Sequence, residues 1–511
     1  MGKGKQLSIN LITQIISFGL NLAISFFLTP YVIQYIGKEV YGFVSLANNF
    51  TSYISVFTVA LNGMLGRYVT VAVAQKEYDT ASKYLTSIFL ANVGVMLILT
   101  PITILFVVNL GNFINLPMGF EEDVKLLFIL MFISFLINLP GCCYNSATYA
   151  TNRLDKSNIC NMVSNIIRIV ITILMLILLQ PRVWYVGVGL LLSNIYMISR
   201  NRCYKKTLLP QVKISRHYFE WKSVKELLSV GIWNSINQLT NMLMTGLDLV
   251  IANLFISVLS MNLLSYAKMI PIQITSLISM ISGLFAPQMT VAYASGDKKK
   301  FINETNFAIK LCGFLCSVPI IGLVVFGESF FGLWLGTLTT DEVKIVAILS
   351  ILTILPQIFS VYIYPLYTVN AVTTKLKAPV IFSFVLGIVN VILVFILVKM
   401  TAWEIYAVAG VSSTISIVRI LIFTPLYASY SIGAAFNTFY KPLARGLVSN
   451  IIMLEIFYVI KNIVTINSWM TFIVTCVFAG CVGYIIAFVV IFNQEEKQKA
   501  IDYFKTIIRR A

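Results

Sequence analysis

Apolar runs of twenty or more residues recur along this chain from one end to the other, and that single feature excludes most folds. A helix of about 20 apolar residues crosses the roughly 30 Å of a bilayer's hydrocarbon. Of the 511 residues, 58% are hydrophobic and 11% charged, whereas a soluble domain carries roughly a quarter charged residues. No face suited to water remains for a soluble multidomain protein. The expectation is an all-α integral membrane protein of about fourteen transmembrane helices.

The apolar segments fall near 7–36, 40–74, 80–108, 123–148, 158–180, 184–200, 226–257, 261–293, 303–327, 343–372, 378–399, 404–430, 441–461 and 468–492. The first is too long for the apolar stretch of a cleaved signal peptide. An even number of crossings places both termini on one side. With the N-terminus inside, the outer ends hold only Lys38, Lys125, Arg182, Lys344, Lys399 and Lys461, against twenty-seven positive residues at the inner ends, among them Lys499, Lys505, Arg509 and Arg510. The positive-inside rule therefore makes both termini cytoplasmic.

The formal charge of +17 does not point to nucleic acid, because the cations sit in short loops rather than in one basic domain. It suits topology and an anionic leaflet. The eight cysteines and the single His217 form neither a disulfide framework nor a metal-ligand pattern. No cofactor and no metal are expected.

The chain divides at its longest polar connection. The expected organisation is an N-terminal lobe of helices one to six over 1–205, a basic linker at 206–225, a second lobe of helices seven to twelve over 226–430, and two further helices with a tail over 431–511. The halves repeat. A shift of 220 aligns Ser45, Ala47, Ile54, Gly63, Thr70, Val71, Ala72 and Ala74 with Ser265, Ala267, Ile274, Gly283, Thr290, Val291, Ala292 and Ala294. A shift of 224 sets Asn10 and Gln14 of helix one on Asn234 and Gln238 of helix seven.

Polar stripes follow from that second alignment. Asn10, Gln14, Ser17, Asn21 and Ser25 recur three or four apart, as do Asn234, Gln238, Asn241, Thr245 and Asp248, so each set shares one helix face. An amide facing hydrocarbon is costly. Two readings fit: the stripes line a hydrated cavity between the lobes, or they bind helices together by hydrogen bonds. Prolines within helices (Pro30, Pro101, Pro140, Pro271, Pro287, Pro319, Pro356, Pro365 and Pro425) predict kinks.

Charges at membrane depth are functional candidates by default. Asp248 and Lys268 are expected at matching depths, as an ion pair that either neutralises itself or opens when an anion takes the lysine and a proton or sodium ion takes the aspartate. Arg168 and Arg419 lie too deep to snorkel easily, and the planar guanidinium fork matches phosphate oxygens. Arg67 lies nearer the cytoplasmic end. Lys310 is expected to snorkel, and Glu455 to stand outside any substrate path. Lysines and arginines in a cavity favour an anionic cargo.

Residues 29–46, TPYVIQYIGKEVYGFVSL, residues 263–297, LLSYAKMIPIQITSLISMISGLFAPQMTVAYASGD, and residues 332–336, GLWLG, resemble the Wzx-type polysaccharide flippases of the multidrug/oligosaccharidyl-lipid/polysaccharide exporter superfamily. The resemblance covers nearly the whole chain. It implies two pseudo-symmetric six-helix lobes plus two C-terminal helices, alternating access, and a polyprenyl-diphosphate-linked saccharide as cargo. Arg168, Lys268, Arg419 and Arg67 would then meet the diphosphate, Asp248 would couple an ion, and the protein would work as a monomer in a bacterial cytoplasmic membrane, without catalysis. Helix one carries no charge within the membrane, unlike the lipid II flippases, so a peptidoglycan precursor is disfavoured. A cation-coupled multidrug exporter of the same fold and a membrane enzyme acting on lipid-linked sugars are the competing readings.

Overall fold

The computed structural model describes residues 3–373 and 375–498; Lys499, Lys505, Arg509 and Arg510 of the basic tail lie outside them. Helix is the only regular structure among the described residues. Contacts divide the chain into two compact units, Met1–Asn262 and Leu263–Ala511.

Unit 1 holds α1 (Lys3–Ile36), α2 (Lys38–Asn62), α3 (Leu65–Ala74), α4 (Tyr78–Val108), α5 (Leu110–Phe113), α6 (Glu121–Gly141), α7 (Ser146–Ala150), α8 (Leu154–Leu178), α9 (Trp184–Leu208), α10 (Trp221–Asn241) and α11 (Asp248–Phe255). The next helix, α12 (Val258–Gly283), starts in unit 1 and continues into unit 2. Then come α13 (Ala286–Ala294), α14 (Lys298–Trp334), α15 (Thr340–Val372), α16 (Lys377–Met400), α17 (Glu404–Val418), α18 (Thr424–Ser431), α19 (Tyr440–Ile463) and α20 (Trp469–Ile491).

Among the described residues, twelve helical stretches are long and apolar enough to span a membrane. The segments expected as helices six and seven are helical too, as α9 and as α10 continuing through a π-helical turn into α11. They fall short in apolarity because α9 ends in Arg200, Arg202, Lys205 and Lys206, and α10 carries Asn234, Asn237, Gln238 and Asn241.

The repeat read from identities is visible as backbone geometry. Helix α2 breaks at Gly63–Met64 before α3, and α12 breaks at Leu284–Phe285 before α13. Each short helix then ends in a left-handed residue, Lys76 at φ 64° and Gly296 at φ 71°, two residues ahead of α4 and α14 respectively. These positions are again 220 apart. Of the prolines, Pro287 stands in the first turn of α13, where the missing N–H has no intrahelical partner to lose, and Pro425 follows closely on the π-helical stretch Arg419–Phe423.

The basic connection after α9 is an ordered strap rather than a loose tether. Lys213 N donates to Ser82 Oγ (2.9 Å), Thr86 Oγ1 donates to Lys213 O (3.2 Å), and Glu220 N donates to Ser87 Oγ (2.9 Å). Leu209 and Val212 are buried beneath it, so its backbone polar groups find partners on α4. In unit 2, the fully buried Tyr362 of α15 donates to Gly446 O and to Asn450 Oδ1 of α19, both at 3.0 Å. A Cβ at Gly313 or Gly446 would overlap its ring. Small residues at that spot let α14, α15 and α19 close around one aromatic side chain.

Candidate functional site

The stripe on α1 is bound for much of its length to α8. Gln6 Nε2 donates to Asp155 Oδ1 (2.9 Å), Asn10 Nδ2 to Asn152 Oδ1 (3.1 Å), Asp155 N to Asn10 Oδ1 (3.0 Å), Asn158 Nδ2 to Thr13 Oγ1 (3.2 Å) and Asn165 Nδ2 to Asn21 Oδ1 (2.6 Å). Asn10 and Ser17 are buried, Asn21 and Ser25 half-buried, and Gln14 exposed. Asn10 and Asn21 therefore serve interhelical hydrogen bonding. Gln14 stands roughly 40° around the helix from Asn10 and emerges beside the seam.

One turn beyond Asn165 lies Arg168. Its Nε is buried without a hydrogen-bond partner, an arrangement that native interiors rarely leave unexplained. The guanidinium interacts electrostatically with the hydroxyl of Tyr41 on α2, and that hydroxyl shares a 3.1 Å hydrogen bond with Thr29 of α1. Three helices thus converge on one cation. Gly189 of α9 makes this possible from behind, because a Cβ there would press within 2.7 Å of Arg168 O.

The second stripe, from Asn234 to Asp248, belongs with α2. Gly231 packs where any Cβ would strike the backbone oxygen of Ala60, Ser235 Oγ donates to Val56 O, and the side chain of Asn234 faces Gly63. Helix α10 then gives way to a π-helical stretch, Met242–Gly246, of the kind often found at functional sites. Gly246 O accepts from Asn49 Nδ2 (3.2 Å) and from the hydroxyl of Tyr53. Asp248 opens α11 directly afterwards, 2% exposed, within electrostatic reach of Tyr53. Gln238 is half-buried, while Asn241 and Thr245 are exposed. On α2, Asn48 and Ser52 are exposed too.

Unit 2 carries Lys268, half-buried on α12, and Arg419. Arg419 begins a second π-helical stretch, Arg419–Phe423, and its Nε is likewise buried without a partner. Arg419 O accepts from both the backbone N–H and the Oγ1 of Thr424, the latter at 3.1 Å, at the change of helical register. Arg67, on α3, is exposed, as is Glu455 on α19.

The expectation for Lys310 needs correction. It does not snorkel: it is 8% exposed and donates to both carboxylate oxygens of Glu496, at 2.7 and 2.9 Å. Sequence separation hid the partner, 186 residues away. Tyr41, Asn165, Asn48, Asn49, Ser52 and Tyr53 were not singled out either. The run of amides and hydroxyls in α2, Asn48, Asn49, Thr51, Ser52 and Tyr53, is the available signal.

Apolar helices long enough to span a membrane, with cations, a carboxylate and amides placed along them, define a multi-pass membrane protein. Solved structures share this fold. A structure described as "Lipid II flippase MurJ, inward closed conformation" aligns with a TM-score of 0.66 at 18% identity, covering 97% of this chain and 99% of that one. An inward-facing multidrug resistance MATE family transporter of the MOP superfamily aligns at 0.64 and 13% identity, over 85% and 98%. Residues 5–293 match the family described as "Polysaccharide biosynthesis protein", and the chain belongs to that family. It is also 27% identical over 506 residues to the uncharacterized membrane protein EpsK of Bacillus subtilis (strain 168), covering 98% of each chain.

Proposed function

We propose that this protein is a flippase that carries a polyprenyl-diphosphate-linked saccharide across a bacterial cytoplasmic membrane by alternating access, driven by a proton or sodium gradient. Both termini face the cytoplasm, the working unit is a monomer, and no covalent chemistry is done on the cargo. The observation that carries this reading is Arg168: a guanidinium near the middle of α8 whose Nε is buried and unpartnered. A buried donor left unpaired costs about 1–3 kcal/mol, and a diphosphate oxygen satisfies it with a charge-assisted bond.

Arg419 offers the same fork in unit 2, and Lys268 and Arg67 supply further positive charge for the anion. Asp248 is the coupling group. The polar residues Gln14, Ser17, Ser25, Asn234, Gln238, Asn241 and Thr245 give the cargo's head group a hydrated route, whereas Asn10 and Asn21 hold α1 on α8.

Charge removal tests the assignment. Arg168→Gln and Lys268→Gln should each reduce export of lipid-linked saccharide in cells to a few per cent of wild type, with normal amounts of protein in the membrane. Arg168→Lys should retain partial activity, because a point charge replaces a bidentate fork. Wild-type export by both charge-free variants sinks the proposal.

A further inference from the structure

Two facing helix stretches of unit 1 expose polar side chains and carry no charge. No Lys, Arg, Asp or Glu occurs over residues 40–62 of α2 or over residues 227–247 of α10 and the π-helical stretch. Yet Asn48 and Ser52 on α2, and Asn241 and Thr245 on the other helix, are exposed at mid-helix. The two helices are antiparallel: Gly231 meets Ala60, Ser235 meets Val56, and Gly246 meets Asn49 and Tyr53.

That orientation puts the four side chains together. Asn48 and Ser52 each directly precede a contact residue, Asn49 or Tyr53, and Thr245 directly precedes Gly246. One residue back turns 100° about each helix axis. In an antiparallel pair those two rotations lead to the same side of the contact line, so the amides and hydroxyls form one patch. An exposed amide gains nothing from acyl chains, and without charge the patch offers nothing particular to a phosphate.

We infer that Asn48, Ser52, Asn241 and Thr245 form a subsite for the saccharide of the cargo, recognising ring hydroxyls and acetamido groups through neutral hydrogen bonds, apart from the cations that take the diphosphate. The inference rests on the flippase reading and deepens it. Amides and hydroxyls both donate and accept, as sugar hydroxyls do. Asn48 Nδ2 donates to Val44 O (3.0 Å) and Thr245 Oγ1 to Asn241 O (3.4 Å). Val44 O belongs to a helix, so a sugar can take over the Asn48 donor without stranding a backbone group. The π-helical turn at Met242–Gly246 sets the register that brings Thr245 alongside Asn241. The cargo's sugars are then selected by hydroxyl pattern rather than by charge.

The test uses purified full-length protein in lipid nanodiscs and two probes: a polyprenyl diphosphate bearing one N-acetylhexosamine, and the same polyprenyl diphosphate without sugar. Wild type should bind the sugar-bearing probe at least tenfold more tightly. The double variant Asn48→Leu/Asn241→Leu should bind the bare probe as wild type does and lose the preference. Arg168→Gln should weaken both probes together. A double variant that keeps the preference overturns the subsite and leaves the flippase reading standing. Wild type that binds neither probe better than Arg168→Gln does overturns both.

Discussion

Asp248 stands at the start of α11 with a π-helical turn behind it and Tyr53 within electrostatic reach. Asp248 is 2% exposed, and a buried carboxylate is costly to keep ionised. In the mechanism proposed above it is the group that binds and releases the coupling cation. Asp248→Asn should leave the helix junction intact, since the amide is isosteric, and should make transport insensitive to an imposed proton or sodium gradient in reconstituted vesicles. Unchanged gradient dependence defeats the coupling role. Arg168 presents the complementary case: hydrogen bonds join the helices around it, and its own Nε is buried without a hydrogen-bond partner, the atom that the proposal gives to a diphosphate oxygen.

At the scale of elements, the repeated break between a long helix and a short one makes a sharp prediction. Lys76 occupies the left-handed position that glycine takes at residue 296, and a non-glycine residue there is strained by roughly 1 kcal/mol. Lys76→Gly should raise stability by about 0.5–1 kcal/mol, read as a higher unfolding temperature in detergent; a lower one contradicts the repeat's geometry. Much at this scale was legible in the sequence, because apolar runs and the 220-residue offset depend only on local composition. The limits are equally physical. The stripe from Asn10 to Ser25 looks uniform at a spacing of three or four, yet only the structure separates Asn10 and Asn21, bonded to α8, from the exposed Gln14. Lys310 and Glu496 meet across 186 residues, a separation at which periodicity carries no information. The π-helical turns leave no mark in composition at all.

For the whole molecule, membership of the polysaccharide biosynthesis family and a set of apolar, membrane-length helices stand beside two arginines, Arg168 and Arg419, whose Nε atoms are buried without a hydrogen-bond partner. In the flippase proposed above those cations meet the anion, and the lipid tail of the cargo needs no carrier of its own. The account therefore turns on movement of the head group. The most direct measurement is transbilayer movement of a fluorescent polyprenyl-diphosphate-linked saccharide in vesicles holding purified protein. Wild type should equilibrate the probe across the bilayer at least tenfold faster than vesicles containing Arg168→Gln at the same protein density. Equal rates for the two proteins contradict the account.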